Sequence, residues 1–493
     1  MVTAPQTVRV RKSVLTLGQK GDDLDWYGQA VAKLRARPLQ DPTSWRYLAA
    51  VHGYPGHAAD PFAQSGEKLP SGADQASFWN QCQHQSWFFL SWHRGYLACF
   101  EEIVAAAVVD AGGPTGWALP YWNYSATSAH SSELPAAFRN QHDSHGNPNP
   151  LWVAGRHMPT PTTALPPAHV DLGALLHSPF QGTAGGGDPG FGGVKTGFSH
   201  FGGTNGRLEN LPHNAVHVDV AGLMSDPDTA ALDPIFWLHH ANIDRLWEVW
   251  IHRDPSFTNP VLKSWLSGTS FQLHDAKGKI VKFNSGQMRD TLKVRHGYKY
   301  DDISDPFHVP VAAAAVAASA TGSGVTAGSP QATQLVAATP AAVPLGNAAT
   351  RAQVAFNQAA RLAAVASVPG RPVRAYLNLE NVRGAAAPRN YEVYVDVPTP
   401  PTAGATGVER KPLLAGHLST FGVRKASSPA GKHGGTGITT VIEISNLIEQ
   451  LHRERNWDGA HLEVTFVPSG PEVAPPVGAP GQVEVGRVSV YYG

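Results

Sequence analysis

The chain has 493 residues, and its 38 basic side chains balance 38 acidic ones, so nucleic acid and anionic membrane surfaces are not expected partners. Its two cysteines, Cys82 and Cys99, allow at most one bridge and exclude a disulfide-stapled fold. A 42% hydrophobic fraction suits a globular protein of two or three domains, and 50 glycines with 40 prolines suit long irregular connections. No apolar run has membrane-span length. The N-terminus shows no apolar stretch behind its charges, so the expectation is a cytoplasmic protein.

In chain order, residues 1–305 show helical periodicity at Trp26–Arg35, His93–Val109 and Asn242–Ile251, with a Gly-rich loop over Gly182–Gly206. Strand signals are sparse here, so a mainly α domain with long loops is predicted. Residues 306–370 are Ala/Gly/Pro-rich and read as a linker, with a helix over Asn347–Ala366. From Arg371 the period becomes two. Tyr391, Val393, Val395 and Val397 alternate with Glu392, Tyr394 and Asp396, and Leu462, Val464 and Phe466 alternate with Glu463 and Thr465. This predicts an all-β, sandwich-like domain over 371–493, with a short helix at Ser445–Arg453.

Six histidines form two sets of three: His52, His84 and His93, then His213, His217 and one of the His239-His240 pair. Three neutral imidazoles per site suit copper, zinc or iron, and two such sites suggest a metal pair that handles dioxygen. His213 and His217 stand at i and i+4, on one helical face. His239 and His240 differ by about 100° on a helix, so only one points squarely at a given ion. His240 is favoured, because Phe236 and Asp244 share its face; Phe236 would pack on the imidazole and Asp244 would hold its outer nitrogen. The alternative is a helix with an incidental His-His pair. His84 and His93 are nine apart, about 900° of helix, so His84 is placed in a loop and His93 near a helix start. His57 competes with His52. Glu209 and Asn214 flank His213. One reading has them holding a water and accepting a proton; the other has Glu209 capping the helix of His213. Glu101 and Glu102 read as partners of nearby arginines. Cys82 reads as a small buried hydrophobe, or as a thiol prone to oxidation beside a metal.

These motifs resemble the tyrosinases, the binuclear type 3 copper proteins. The resemblance covers most of residues 1–305. It rests on Val51-His52-Gly53, on His84 with Phe89-Leu-Ser-Trp-His93-Arg-Gly-Tyr-Leu97, on Leu119-Pro-Tyr-Trp-Asn123, on Glu209-Asn-Leu-Pro-His213 with His217, on Asp233-Pro-Ile-Phe-Trp-Leu-His-His240 with Asp244-Arg245, and on Tyr298-Lys-Tyr300. It implies a four-helix-bundle core and two copper ions, one held by His52, His84 and His93, the other by His213, His217 and His240, with O2 as co-substrate. Cys82-Gln-His84 is similar to a motif in which the thiol forms a thioether with the histidine ring. Glu209 and Asn214 match a water-holding pair associated with monophenol hydroxylation. The wide spacing of His52 and His84 and the absence of two N-terminal disulfides are departures from the pattern.

The resemblance therefore implies a phenol oxidase that ortho-hydroxylates monophenols such as tyrosine and oxidises o-diphenols to o-quinones. The alternatives are an oxidase restricted to o-diphenols or o-aminophenols, and a reversible O2 carrier. The C-terminal part resembles a lid that plugs the substrate cleft, with Phe421 as the expected plug. Small phenols are the expected partners, and self-association is left open.

Overall fold

The computed structural model describes residues 8–17, 23–56, 62, 66–143, 146–157, 163–307, 333–357, 374–397, 411–429, 435–470 and 482–493. His57, the stretches 308–332 and 358–370 of the expected linker, and with them the end of the helix expected over Asn347–Ala366, lie outside them.

The first domain is helical. Its helices are α1 (Asp23–Arg35), α2 (Trp45–His52), α3 (Gly72–Phe78), α4 (Phe89–Asp110), α5 (Ala215–Val220), α6 (Pro234–Arg253) and α7 (Lys263–Leu266). Both α4 and α6 are buried on nearly every side, their few polar side chains included, and lie at the centre, with α1 packed on α4 and α4 on α6. Polar caps fix the start points of α2 and α6. Ser44 accepts a hydrogen bond from Tyr47 N at the head of α2, and Asp233 accepts one from Ile235 N at the head of α6, where Pro234 has no N–H to lose. Between these helices, Trp45 packs edge-on against Phe100, and Phe100 stacks on Trp237 with centroids 3.4 Å apart. Truncating one such buried ring costs about 3–5 kcal/mol.

Short strands tie the loops of this domain: β1 (Arg9–Arg11), β2 (Gln181–Gly182), β3 (Gly193–Val194), β4 (Gly203–Thr204), β5 (Phe271–His274), β6 (Ile280–Phe283) and β7 (Tyr298–Tyr300). Pairing of β1 with β7 closes the domain. It brings Arg11, Tyr298 and Tyr300 onto Asp244 of α6, at 3.2, 2.6 and 2.5 Å, and Arg94 of α4 meets the same carboxylate at 2.5 Å. Arg11 also pairs with Glu101, and Arg295 with Glu102, as the sequence suggested.

The second domain is built on β8 (Gln334–Ala338), β9 (Val343–Leu345), β10 (Thr350–Phe356), β11 (Ala375–Gly384), β12 (Asn390–Asp396), β13 (Leu413–Ser419), β14 (Ile438–Glu443), β15 (His461–Ser469), β16 (Val483–Val485) and β17 (Arg487–Tyr492), with α8 (Val423–Ala426) and α9 (Ser445–Arg455). Three of these strands overturn sequence expectations. β8, β9 and β10 fall inside the expected linker 306–370, and β10 replaces the first part of the helix expected over Asn347–Ala366. Alanine-rich composition favoured a helix, but alternate residues Ala352, Val354 and Phe356 are buried against the sheet, and tertiary burial overrides propensity. The sheet is one path, β13-β12-β15-β10-β8-β17-β11-β14-β4, with β9 and β16 alongside. Its two flanks approach each other, Gly416 of β13 facing Ile442 of β14, so it is a single curled sheet in place of two stacked ones. Its last strand, β4, comes from the helical domain, inside the loop expected over Gly182–Gly206, so backbone pairing joins the two domains.

Candidate metal centre and its cover

The six histidines of the two sets meet in one buried chamber between α2, α4, α5 and α6. His52 ends α2, and His93 lies one turn into α4. His84 lies in the loop before α4, bridged to His200. His213 sits in a wide, irregular turn, Glu209–Asn214, and His217 follows on α5, with their rings 4.6 Å apart. His240 projects from α6 and stacks on His93 at 4.5 Å, which joins the two sets.

Each outer nitrogen but one is tethered. The Nδ1 of His52 donates to Pro227 O (2.9 Å), of His93 to Phe89 O (2.8 Å), of His217 to Met224 O (2.8 Å), of His213 to Asn214 Oδ1 (2.8 Å) and of His84 to Glu209 Oε1 (3.0 Å). This fixes the tautomer and turns each Nε2 lone pair inward. Gly53 makes the first tether possible, because a Cβ there would stand 2.3 Å from Pro227 O. The inward nitrogens lack partners of the right kind. His84 Nε2 and His52 Nε2 face each other at 3.3 Å, acceptor against acceptor, and His93 Nε2 and His213 Nε2 are buried with no hydrogen bond. Burial also drives these rings toward the neutral form, with His52 and His213 pushed down to about 3 and His84, His93, His217 and His240 held well below the usual range. Converging neutral lone pairs with no protons between them are a donor set for cations that prefer imidazole, so the residues fit a pair of copper ions.

Several expected details come out differently. Phe236 does pack on His240, at 4.2 Å, and also on His52, at 4.9 Å. Asp244 does not hold the outer nitrogen of His240. Its oxygens are taken by Arg11, Arg94, Tyr298 and Tyr300, and His240 Nδ1 has no hydrogen-bond partner. His239 does not face away. Its ring stacks on His213 at 5.3 Å, and its nitrogen lies within 4.8 Å of those of His213, His217 and His240. Glu209 is no helix cap, since the preceding Leu208 takes that position. Both its oxygens accept from Gln85 N, at 2.8 and 3.0 Å, and one also accepts from His84. Its burial pushes the carboxyl up to about 8. The Cys82 thiol has His200 Nδ1 as its contact, at 3.1 Å, while Sγ still lies within 4.8 Å of the nitrogens of His52 and His84.

The walls are aromatic. Phe201 stacks on His84 at 4.3 Å, a contact that no sequence pattern signalled. Phe421, on the β13–α8 connection of the second domain, is fully buried and stacks on His217, with centroids 4.2 Å apart and planes 18° apart. It also lies 5.8 Å from His213 and 6.1 Å from His84. Gly422 adopts φ +75° beside it, where a Cβ would strike Phe201 at 2.4 Å. Around this plug, Asn390 donates to Asp219 (2.9 Å), Arg207 pairs with Glu443 (3.0 Å) and His169 meets Ser469 (3.1 Å) across the domain boundary.

Helices that converge six imidazoles in a dry chamber define a binuclear type 3 copper protein. Comparison with known proteins gives the family. Residues 42–183 and 187–253 match the common central domain of tyrosinase, and 332–493 match a domain of unknown function. Tyrosinase HcTyr1 of Hahella sp. (strain CCB-MM4) is 35% identical across 98% of this chain and 99% of its own length. A chloroplastic polyphenol oxidase of Vitis vinifera is 30% identical over 57% of this chain and 46% of its own. The fold matches that of latent apple tyrosinase with a TM-score of 0.62, at 22% identity, over 100% of this chain and 98% of that one. The chain belongs to the tyrosinase family. Its members bind two copper ions at a type 3 site, and the protein is a phenol oxidase in this general sense.

Proposed function

We propose that this is a latent tyrosinase, which hydroxylates monophenols at the ortho position, oxidises o-diphenols to o-quinones, and is held inactive by its C-terminal domain. The carrying observation is the Phe421 ring stacked on His217: the closed site already accommodates a phenyl group against the metal-binding imidazoles. His52, His84 and His93 would hold one copper, and His213, His217 and His240 the other. The copper pair supplies the redox chemistry toward O2. The chain's own residues shape the rest. Phe236, Phe89 and Phe201 exclude water, and the Nδ1 tethers hold the rings in place. Glu209, with Asn214, is assigned the phenol proton. Burial pushes its carboxyl up to about 8 against the backbone hydrogen bonds from Gln85 and Gly206 that lower it, and copper held by the neighbouring imidazoles would pull it further down. Cys82 is assigned a thioether with His84.

One observation favours the narrower reading, an oxidase of o-diphenols only: both Glu209 oxygens are engaged by Gln85 and His84. Oxygen uptake by copper-loaded, full-length Phe421→Ala with 4-methylphenol and 4-methylcatechol separates the two. Burying a Phe ring contributes about 1.5–3 kcal/mol to lid closure, so both substrates should turn over about ten- to a hundredfold faster than with the unaltered chain. Turnover of the catechol alone would establish the narrower activity. An unchanged rate with both would overturn the plug.

A further inference from the structure

Two cations follow the plug in the chain. Arg424 and Lys425 lie three and four residues after Phe421, on α8, and both reach the rim of the chamber. Lys425 Nζ contacts Asp228 Oδ1 and Asn80 Oδ1, the latter at 3.0 Å, and stands 5.8 Å from the centroid of Phe201. Arg424 pairs with Asp226 and comes within 3.9 Å of Asp228. The two aspartates belong to the same short loop as Met224 and Pro227, whose carbonyls orient His217 and His52. They are therefore fixed relative to the metal-binding rings, one from each set.

Among the described residues, the cations paired with Asp226 and Asp228 come from the lid alone. A cleft of about 480 Å³ runs along this seam, lined by Arg156, His157, Asp226, Pro227, Gly422 and Lys425 among others. Arg156 is committed elsewhere, to Asp233 at 2.8 and 2.5 Å and to the carbonyls of Phe138 and Leu151. With the lid withdrawn, the rim presents two carboxylates without their counter-charges, beside a slot that has just released an aromatic ring.

We propose that the segment Phe421–Lys425 is an internal copy of the substrate, and that the uncovered site selects phenols with a cationic aminoalkyl arm, the ring taking the place of Phe421 and the ammonium that of Lys425 on Asp228 and Asp226. The proposal rests on the phenol-oxidase reading and names its substrate class. Phenols with an anionic arm are repelled by the same pair of carboxylates, and neutral ones gain only the ring contacts.

The test uses copper-loaded, full-length protein carrying Phe421→Ala, Arg424→Ala and Lys425→Ala, which frees both slots. Titration calorimetry with 2-phenylethylamine and 3-phenylpropionate reads charge selection without turnover, since neither ligand has a hydroxyl to oxidise. The amine should bind tighter by about tenfold or more, and adding Asp226→Asn and Asp228→Asn should abolish the difference. Equal affinities, or a preference that survives the two Asn substitutions, would overturn the proposal and leave the ion pairs as a simple latch. Oxygen uptake with neutral 4-methylcatechol is read in parallel. Amine selection without any catechol turnover would sink the phenol-oxidase reading while leaving the cation site established. Should the triple alanine variant fail to fold, Phe421→Leu with Arg424→Gln and Lys425→Gln runs the same panel.

Discussion

Without copper, the chamber should make the protein acid-labile. His52 and His213 are each pushed from 6.5 down to about 3 by burial. At 1.36 kcal/mol per unit, each then contributes about 5 kcal/mol of stability, present above pH 6.5 and lost as pH falls from there through 3, because the unfolded chain takes up the proton first. Glu209 acts in the opposite sense. Its carboxyl is raised from 4.5 to about 8, so its contribution of about 5 kcal/mol is full below 4.5 and lost as pH rises through 8. Between pH 8 and 3 these three groups sum to a net loss of about 5 kcal/mol on acidification. His84, His93, His217, His239 and His240 shift in the same direction as His52 and add to it. Whole-domain stabilities are about 5–15 kcal/mol, so the helical domain should unfold in mild acid. Urea unfolding of metal-free protein, followed by tryptophan fluorescence at pH 7, 6, 5 and 4, should show a midpoint that drops steeply below pH 6.5. Copper-loaded protein should hold its midpoint to lower pH, since ligation occupies the lone pairs that protons compete for. A midpoint that is flat from pH 7 to 4 in the metal-free chain would refute the reasoning, because it would mean that the imidazoles are already hydrated.

Metal analysis of His240→Ala should return about one copper per chain, while His239→Ala keeps two; equal losses would contradict the placement of His240 between the two sets. Peptide mapping of copper-loaded protein should find Cys82 cross-linked to His84, and a Cys82 that alkylates freely after denaturation would rule the thioether out. Asp244→Asn should cost about 3–5 kcal/mol in thermal or chemical unfolding, because Arg11 and Arg94 would stay buried without their shared carboxylate. A cost below about 1 kcal/mol would show that Glu101 and Glu248 suffice for them.

Much of the site was legible in the sequence because its logic is local. His213 and His217 stand four apart, where a helix puts both rings on one side, and Phe236 four residues before His240 had to share its face. The β domain was legible from Arg371 onward, where runs such as Tyr391–Val397 and Leu462–Phe466 alternate. Before that point, short strands in Ala-rich sequence carry only a weak period, and β8, β9 and β10 form because β17, β16 and β15 offer them ladders. The outer shell was the least legible part. Asp244 looked like a partner for His240 from spacing alone, but the β1–β7 pairing delivers stronger donors from far along the chain.

Residue type and periodicity, taken alone, determined which side chains could hold metal, which elements carry them, and that a β domain follows a helical one. Tertiary contact alone decided which nitrogen of each ring faces inward, that Glu209 serves His84, and that the cations beside Phe421 meet Asp226 and Asp228. The physical reason is range. Side-chain direction along one element follows from its own geometry, while hydrogen-bond partners and the filling of a cavity depend on chain segments that only folding brings together.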